Sequence, residues 1–312
     1  MKNMKALNLT VSRYGFLLGL AFAITSCDQT QSPEMASNLE NSPEYAEANE
    51  PSQAFKDYWY AGVAEITSFE LEQARYGELR NGNAVLIYVT EDFRPEAQVK
   101  ADRSYADNIS VLKLNATKTF NTGIYPYSIM QSTFYPVSND QHALKVSSSI
   151  QEWCGHVYSQ LNNRDQFEID SHSYFESEAD ADFKLDKAIL ENEIWTQLRI
   201  DPASLPQGDM MIIPSLEFIR LRHIELKAYK AIATLSEGIY TLDYPNLDRS
   251  LSISFKTEFP YEIQGWTETF NSGFGPNAKT MTTTAKKLES ITSAYWSKNS
   301  NADEGLRKTL GL

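Results

Sequence analysis

The residues with the clearest chemical capacity lie together in Gln151-Glu152-Trp153-Cys154-Gly155-His156. Side chains alternate along an extended strand, so Glu152, Cys154 and His156 would share one face. A carboxylate, a thiol and an imidazole on one face could form a nucleophile with its base, or part of a metal site. The plainer reading makes Cys154 a small buried hydrophobe, with His156 hydrogen-bonded nearby and Gly155 marking a bulge. The plainer reading is favoured. A metal site usually takes about three or four ligands, and the other histidines, His142, His172 and His223, stand in no ligand spacing. His172 lies between Ser171 and Ser173, but the chain has no Gly-x-Ser-x-Gly elbow. Asp180 and Asp182 lack the further oxygen ligands of a calcium loop, and Asp182 is expected to cap a helix. No Gly-rich phosphate loop occurs. Glu152, Cys154 and His156 are therefore weak catalytic candidates, and no cofactor or metal is expected.

A second cysteine suggests a location. Lys2, Lys5 and Arg13 precede an apolar run from Tyr14 to Ile24, and Thr25 and Ser26 lead into Cys27. A basic start, a short apolar stretch and small residues before a cut form a secretory signal. Spanning a bilayer takes about 20 apolar residues, so this run is too short for a transmembrane anchor. A cysteine directly after the small residues resembles the lipobox of bacterial lipoproteins. That resemblance implies cleavage before Cys27 and its lipidation, palmitate included. It also implies a place on the outer membrane of a Gram-negative envelope, on either face. Cleavage by an ordinary signal peptidase is the alternative. More than one acyl chain makes release from a membrane rare.

Composition narrows the partners. The 312 residues carry a formal charge of −13, and removal of residues 1–26 takes away three basic residues and no acidic one, leaving −16. Such acidity argues against nucleic acid and anionic lipid surfaces, which need basic patches. With Cys27 lipidated, Cys154 has no disulfide partner, so the core must hold without staples. Residues 28–54 hold Pro33, Pro43 and Pro51 and several Glu, with no Lys or Arg before Lys56. They read as a disordered acidic tether. A single β-rich domain is expected over 55–296, and 297–312 reads as a loose tail.

The elements that would position any site are mostly strands. Asn81-Gly82 between apolar runs predicts a type I′ hairpin turn. Ala84 to Thr90 is apolar without a break and should be covered on both faces. Ser110–Phe120, Tyr125–Val137, Ala143–Tyr158 and Gln166–Ser173 read as strands, as do Met210–Leu221, Glu225–Leu235 and Lys279–Tyr295. Leu251, Ile253 and Phe255 alternate with polar residues, the clearest period-2 stretch. One main helix is predicted near 182–199, capped by Asp182 and stopped by Asp201-Pro202. The pattern predicts a large curved antiparallel sheet, barrel-like or half-barrel, with a two-sheet β-sandwich as the alternative. Curling with few helices would leave a concave face to be filled. Aromatics at Tyr58-Trp59-Tyr60, Tyr125-Pro126-Tyr127, Phe134-Tyr135, Tyr261 and Trp266 could line it, or simply form core.

Trp59 to Glu78, Gly123-Ile124-Tyr125-Pro126-Tyr127 and Gln151 to His156 resemble a lipoprotein family of the Bacteroidota, whose members often carry the label "septum formation inhibitor Maf". The resemblance covers most of 55–295 and implies an envelope lipoprotein, with no functional residue to carry over. Authentic Maf pyrophosphatases bear a Ser-Pro-Arg-Arg signature. This chain has only Ser32-Pro33-Glu34 and Ser42-Pro43-Glu44, so nucleotide hydrolysis is not expected. The expected role is binding of a hydrophobic or amphipathic ligand, or of an envelope partner protein, in the curved sheet. The alternatives are an envelope hydrolase or thiol enzyme using Cys154 and His156, and a structural assembly component.

Overall fold

A computed structural model describes residues 50–138 and 142–312, so Cys27, the signal segment and nearly all of the tether lie outside the described residues. The first half of the chain supplies β1 (Ala64–Arg75), β2 (Glu78–Arg94), β3 (Val99–Lys100), β4 (Ile109–Thr122) and β5 (Tyr125–Pro136). It continues with β6 (Lys145–Glu152), β7 (Gly155–Asn163), β8 (Phe167–Ser173) and β9 (Ala181–Leu185). The second half supplies β10 (Ile189–Leu190), β11 (Gly208–Ile213), β12 (Tyr229–Ser236), β13 (Ile239–Tyr244), β14 (Arg249–Phe255), β15 (Ile263–Ser272) and β16 (Lys279–Ser293). Among the described residues four short α-helices punctuate them: α1 (Gln53–Trp59), α2 (Glu191–Ile200), α3 (Leu216–Arg222) and α4 (Gly305–Thr309).

All sixteen strands join one sheet, ordered β10 to β16, then β1, β2 and β4 to β9, with β3 paired to the end of β2. Pairing is antiparallel except between β10 and β11. The two edge strands, β9 and β10, are consecutive in sequence, joined only by Asp186, Lys187 and Ala188. Four Cα steps reach about 14 Å at most. The sheet must therefore curl until its edges nearly meet. The edges share no hydrogen bonds; an apolar cluster closes the seam instead, with Phe183 and Leu185 on one side and Leu190, Ile213 and Leu216 on the other. This is the curled sheet the sequence predicts, and the sandwich does not form.

What fills the curl is the chain itself. Helix α2 touches strands from both halves of the sheet. Tyr88 of β2 donates its hydroxyl to the Trp195 carbonyl at 3.0 Å, and Asn192 donates to Gln131 of β5 at 3.0 Å. Tyr244 of β13 donates to Glu191 at 2.7 Å, and Trp195 meets Trp266 of β15 edge to face at 5.3 Å. An element in reach of both halves lies inside the curl. Its buried residues include Glu191, Asn192, Glu193, Thr196 and Arg199. Only an interior that offers polar partners accepts such a helix. Glu65 grips Arg199 with two bonds of 2.6 and 2.7 Å, and the guanidinium lies 4.9 Å from the Trp59 ring centroid and 4.7 Å from that of Tyr88.

Several local expectations are corrected. The hairpin turn between β1 and β2 is Tyr76-Gly77, with φ of 55° and 77°, and Asn81 and Gly82 are mid-strand. Gly82 serves a different need: a Cβ there would lie 2.2 Å from the Thr119 carbonyl oxygen. The predicted helix over 182–199 shrinks to 191–200, because Ala181 to Leu185 pairs with β8. Asp182 is an exposed strand residue and caps nothing; the Leu190 N–H is met instead by Glu193 at 3.0 Å. The strand expected over 210–221 ends at Ile213, and Ser215 caps α3 by accepting from the Phe218 N–H at 3.2 Å. The tail is not loose. Leu310 is buried against Ala64, Ile66 and Val89 on the outer face of β1 and β2. That contact explains the unbroken apolar run in β2: Ala84, Leu86 and Tyr88 face the core, while Val85, Ile87 and Val89 lie under the C-terminal segment.

Candidate functional site: a slot inside the curled sheet

Between α2, α3 and the sheet wall runs a cavity. Its free space is about 960 Å³ counting the open mouth, of which about 60 Å³ admits the centre of a water molecule. By that measure one water needs about 10–15 Å³, so the slot is narrow, the gauge of single-file waters or an alkyl chain. One wall is apolar, built from Ala84, Leu86, Leu114, Ala116, Leu251, Trp266 and Phe270. Strand alternation puts these residues on one face: Ala84 and Leu86, then Leu114 and Ala116, then Trp266 and Phe270, two or four positions apart. A second hollow, with about 780 Å³ of free space of which about 290 Å³ admits the centre of a water molecule, lies between Ile66, Ile87 and Ile291 on the outer face and the C-terminal Leu306 and Leu310. It admits more water but opens broadly to solvent, and among the described residues no partnerless polar side chain is buried in it.

Charged side chains share the slot's lining, and they are almost dry. The Arg249 side chain is 1% exposed and pairs with Glu191, at 2%. It also donates to Glu268 at 2.7 Å and stacks 4.0 Å over the Phe218 ring. Burial opposes ionisation of Glu191, but Arg249 overrides it and holds the carboxyl below its usual range. Lys118 pairs with Glu217 of α3 at 2.8 Å, and Gln131 donates to the same carboxylate at 3.0 Å. Burial disfavours the Lys118 ammonium, yet Glu217 and Glu268 keep its pKa above the ordinary value. Both internal helices are thus tied to the sheet by ion pairs.

The mouth is different. Arg75 is 7% exposed and donates to the Leu221 carbonyl at 2.7 Å and to the hydroxyls of Tyr76 and Tyr127 at 3.1 Å each. Its Nε has no partner. Arg222 is half-buried and lies 5.5 Å over the Phe270 ring, with no carboxylate at pairing distance among the described residues. Burial pushes the Arg222 guanidinium down, and Arg75 pushes it the same way. Tyr76 and Phe274, rings 6.4 Å apart, flank the opening and are 40% and 56% exposed.

The residues singled out from sequence lie elsewhere. Trp153 and Cys154 form the turn between β6 and β7, so the alternation that would unite Glu152, Cys154 and His156 is broken. Cys154 is exposed, not the buried hydrophobe of the plainer reading, and His156 is exposed beside it. Glu152 accepts the Cys154 N–H at 2.8 Å, and its hydrogen bond and charge push the thiol pKa up. That is opposite to nucleophile activation. Cys154 is expected to react with maleimide at pH 7.5 more slowly than free cysteine. A faster rate, read by mass shift, would contradict this account of Glu152. Among the described residues no group of three or more His, Cys, Asp or Glu could hold a metal ion. His142 serves α2, meeting Glu193 at 2.9 Å. Of the aromatics, Trp59 and Tyr127 are core and Trp266 lines the slot.

The buried carboxylates set an acid limit. The pKa values of Glu65 and Glu191 lie below the usual range in the fold, and that of Glu262 is brought to about 2, where bonds from Lys256 and Lys287 outweigh burial. An unfolded Glu titrates near ~4.3. The stability these groups give is present above that pH and falls away as pH drops toward their lower folded values. Urea midpoints at pH 6, 4 and 3 should decrease in that order. An unchanged midpoint at pH 3 would contradict the paired assignment.

No family model matches the chain, and no curated protein matches it. Among solved structures it is similar to the crystal structure of a β-barrel-like protein of a domain of unknown function, DUF1849, from Brucella abortus. The TM-score is 0.44 at 8% identity, covering 74% of this chain and 98% of that one. A likeness at that level carries no functional argument.

Proposed function

We propose that this chain is a membrane-anchored envelope lipoprotein that binds, without turnover, an amphipathic ligand in the slot of its curled sheet. The observation that carries the reading is the slot itself: a narrow free space with an aliphatic and aromatic wall, left open between helices fixed by ion pairs. Ligand pockets combine such apolar walls with a few placed polar groups. The Bacteroidota lipoprotein resemblance and the Cys27 lipobox support the anchored part of the reading. The raised thiol pKa of Cys154 and its exposure give the thiol-enzyme alternative no support.

Trp195 and Trp266 both line the slot, which makes intrinsic fluorescence a direct reporter. Titrating the full-length chain with decyl amphiphiles below their aggregation concentration should shift tryptophan emission saturably. A linear, unsaturable change would sink the slot reading. For the anchor, Cys27→Ser should abolish incorporation of labelled palmitate, and continued labelling would refute lipidation at Cys27.

A further inference from the structure

We propose that the slot takes a single-chain amphiphile with an anionic head group, a carboxylate or a phosphate monoester, and that Arg75 and Arg222 hold the head at the mouth. The inference rests on the ligand reading above and names the chemistry of the ligand's polar end.

The first argument is charge accounting. The slot is lined by four cationic side chains, Arg75, Lys118, Arg222 and Arg249, against three carboxylates, Glu191, Glu217 and Glu268. The carboxylates are engaged: Glu191 and Glu268 by Arg249, and Glu217 by Lys118. Arg75 and Arg222 are left without an ion pair, inside a chain of formal charge −13. An unpaired cation at a desolvated site is unfavourable unless something compensates it.

The second argument is the unused hydrogen-bonding capacity of Arg75. The side chain is more than nine-tenths buried, yet its Nε finds no acceptor. Its other nitrogens are fixed by the Leu221 carbonyl and two tyrosine hydroxyls, so the fork is pre-oriented. Three of its five N–H groups are taken, which leaves the Nε–H and one Nη1–H to donate to an anionic oxygen.

The third argument is position. Tyr76 lies 4.2 Å beneath the Arg75 guanidinium and Phe270 lies 5.5 Å beneath Arg222, so rings cover a flat face of each, and the N–H groups of Arg222 donate to no other residue among those described. The two guanidiniums repel one another, and Arg75 lowers the pKa of Arg222. An anion between them removes that repulsion. The apolar wall of Leu86, Leu114 and Leu251 lines the same slot, so a tail attached to the anion finds apolar surface.

The test compares one tail with different heads. The full-length chain is titrated by calorimetry with decanoate, decyl phosphate and decanol, below their aggregation concentrations and at fixed ionic strength. At least one anionic probe is expected to bind about tenfold or more tightly than decanol, the size of a charge-assisted pair. Preference between the two anions then names the head. Arg222→Gln should bring the anion affinity down toward that of decanol. Among the described residues Arg222 makes no hydrogen bond or ion pair to another element and only overlies the Phe270 ring, so this variant should keep its fold. Equal affinity for all three probes overturns the head-group assignment and leaves the ligand reading standing. Binding of none overturns both.

Discussion

Arg249→Met destabilises the protein by about 3–5 kcal/mol, the largest effect expected of any single substitution. The guanidinium is enclosed, and its loss strands Glu191 in the interior with no cation and leaves Glu268 only the more distant Lys118. Removing one partner of a buried pair leaves an uncompensated charge, which costs far more than the pair contributes. Glu191 begins α2, so the internal helix loses its tie to β14 in the same step. Adding Glu191→Gln and Glu268→Gln should recover part of the loss, because the stranded charges are then gone. Urea unfolding followed by fluorescence reads all of these variants. An Arg249→Met midpoint close to that of the parent would mean that the two carboxylates reach water, and that α2 is not held inside the sheet.

Ala116→Leu is expected to lower ligand affinity by about a hundredfold or more while costing only about 1–3 kcal/mol of stability. Ala116 faces the slot and is half-buried, so added methyl groups enter free space before they meet neighbours. In a slot of single-chain gauge an isobutyl group occupies the ligand's path. The readouts differ: binding is lost, and the folded state remains. Full affinity in a folded Ala116→Leu protein would place the ligand elsewhere, with the outer-face hollow beside Leu306 and Leu310 as the next site to test.

The sheet was legible because its residues alternate. Leu251, Ile253 and Phe255 are buried as period 2 requires, and the run from Ala84 to Thr90 is covered on both faces as its composition demands. The slot was legible in principle by the same rule. Arg249 shares the face of Leu251 and Ile253, Lys118 that of Ala116 and Phe120, and Glu268 that of Trp266 and Phe270. Arg75 likewise shares the face of Phe69 and Leu71. A charged residue in register with an apolar stripe marks a buried partner or a lumen.

Other features depend on distant contacts. The start of the helix could not be placed from its own residues, because Phe183 and Leu185 fit a helical stripe as well as a strand, and pairing with β8 decides between them. Asn81-Gly82 carries the stronger turn preference, yet both residues pair across the sheet with Glu72 and Leu71, and Tyr76-Gly77 makes the turn. The internal position of α2 was hidden for a related reason. A helix rich in Glu, Asn, Thr and Arg reads as solvent-exposed until its counter-charges, far away in sequence, are known.

The measurement that bears most directly on the central claim is native mass spectrometry of the full-length chain from the envelope, paired with solvent extraction and set beside the Ala116→Leu variant. The account predicts a reproducible bound mass on the parent protein, released by extraction as an amphiphile and missing from the variant. A parent protein of bare chain mass, or an adduct equally present on Ala116→Leu, would contradict a ligand in the slot.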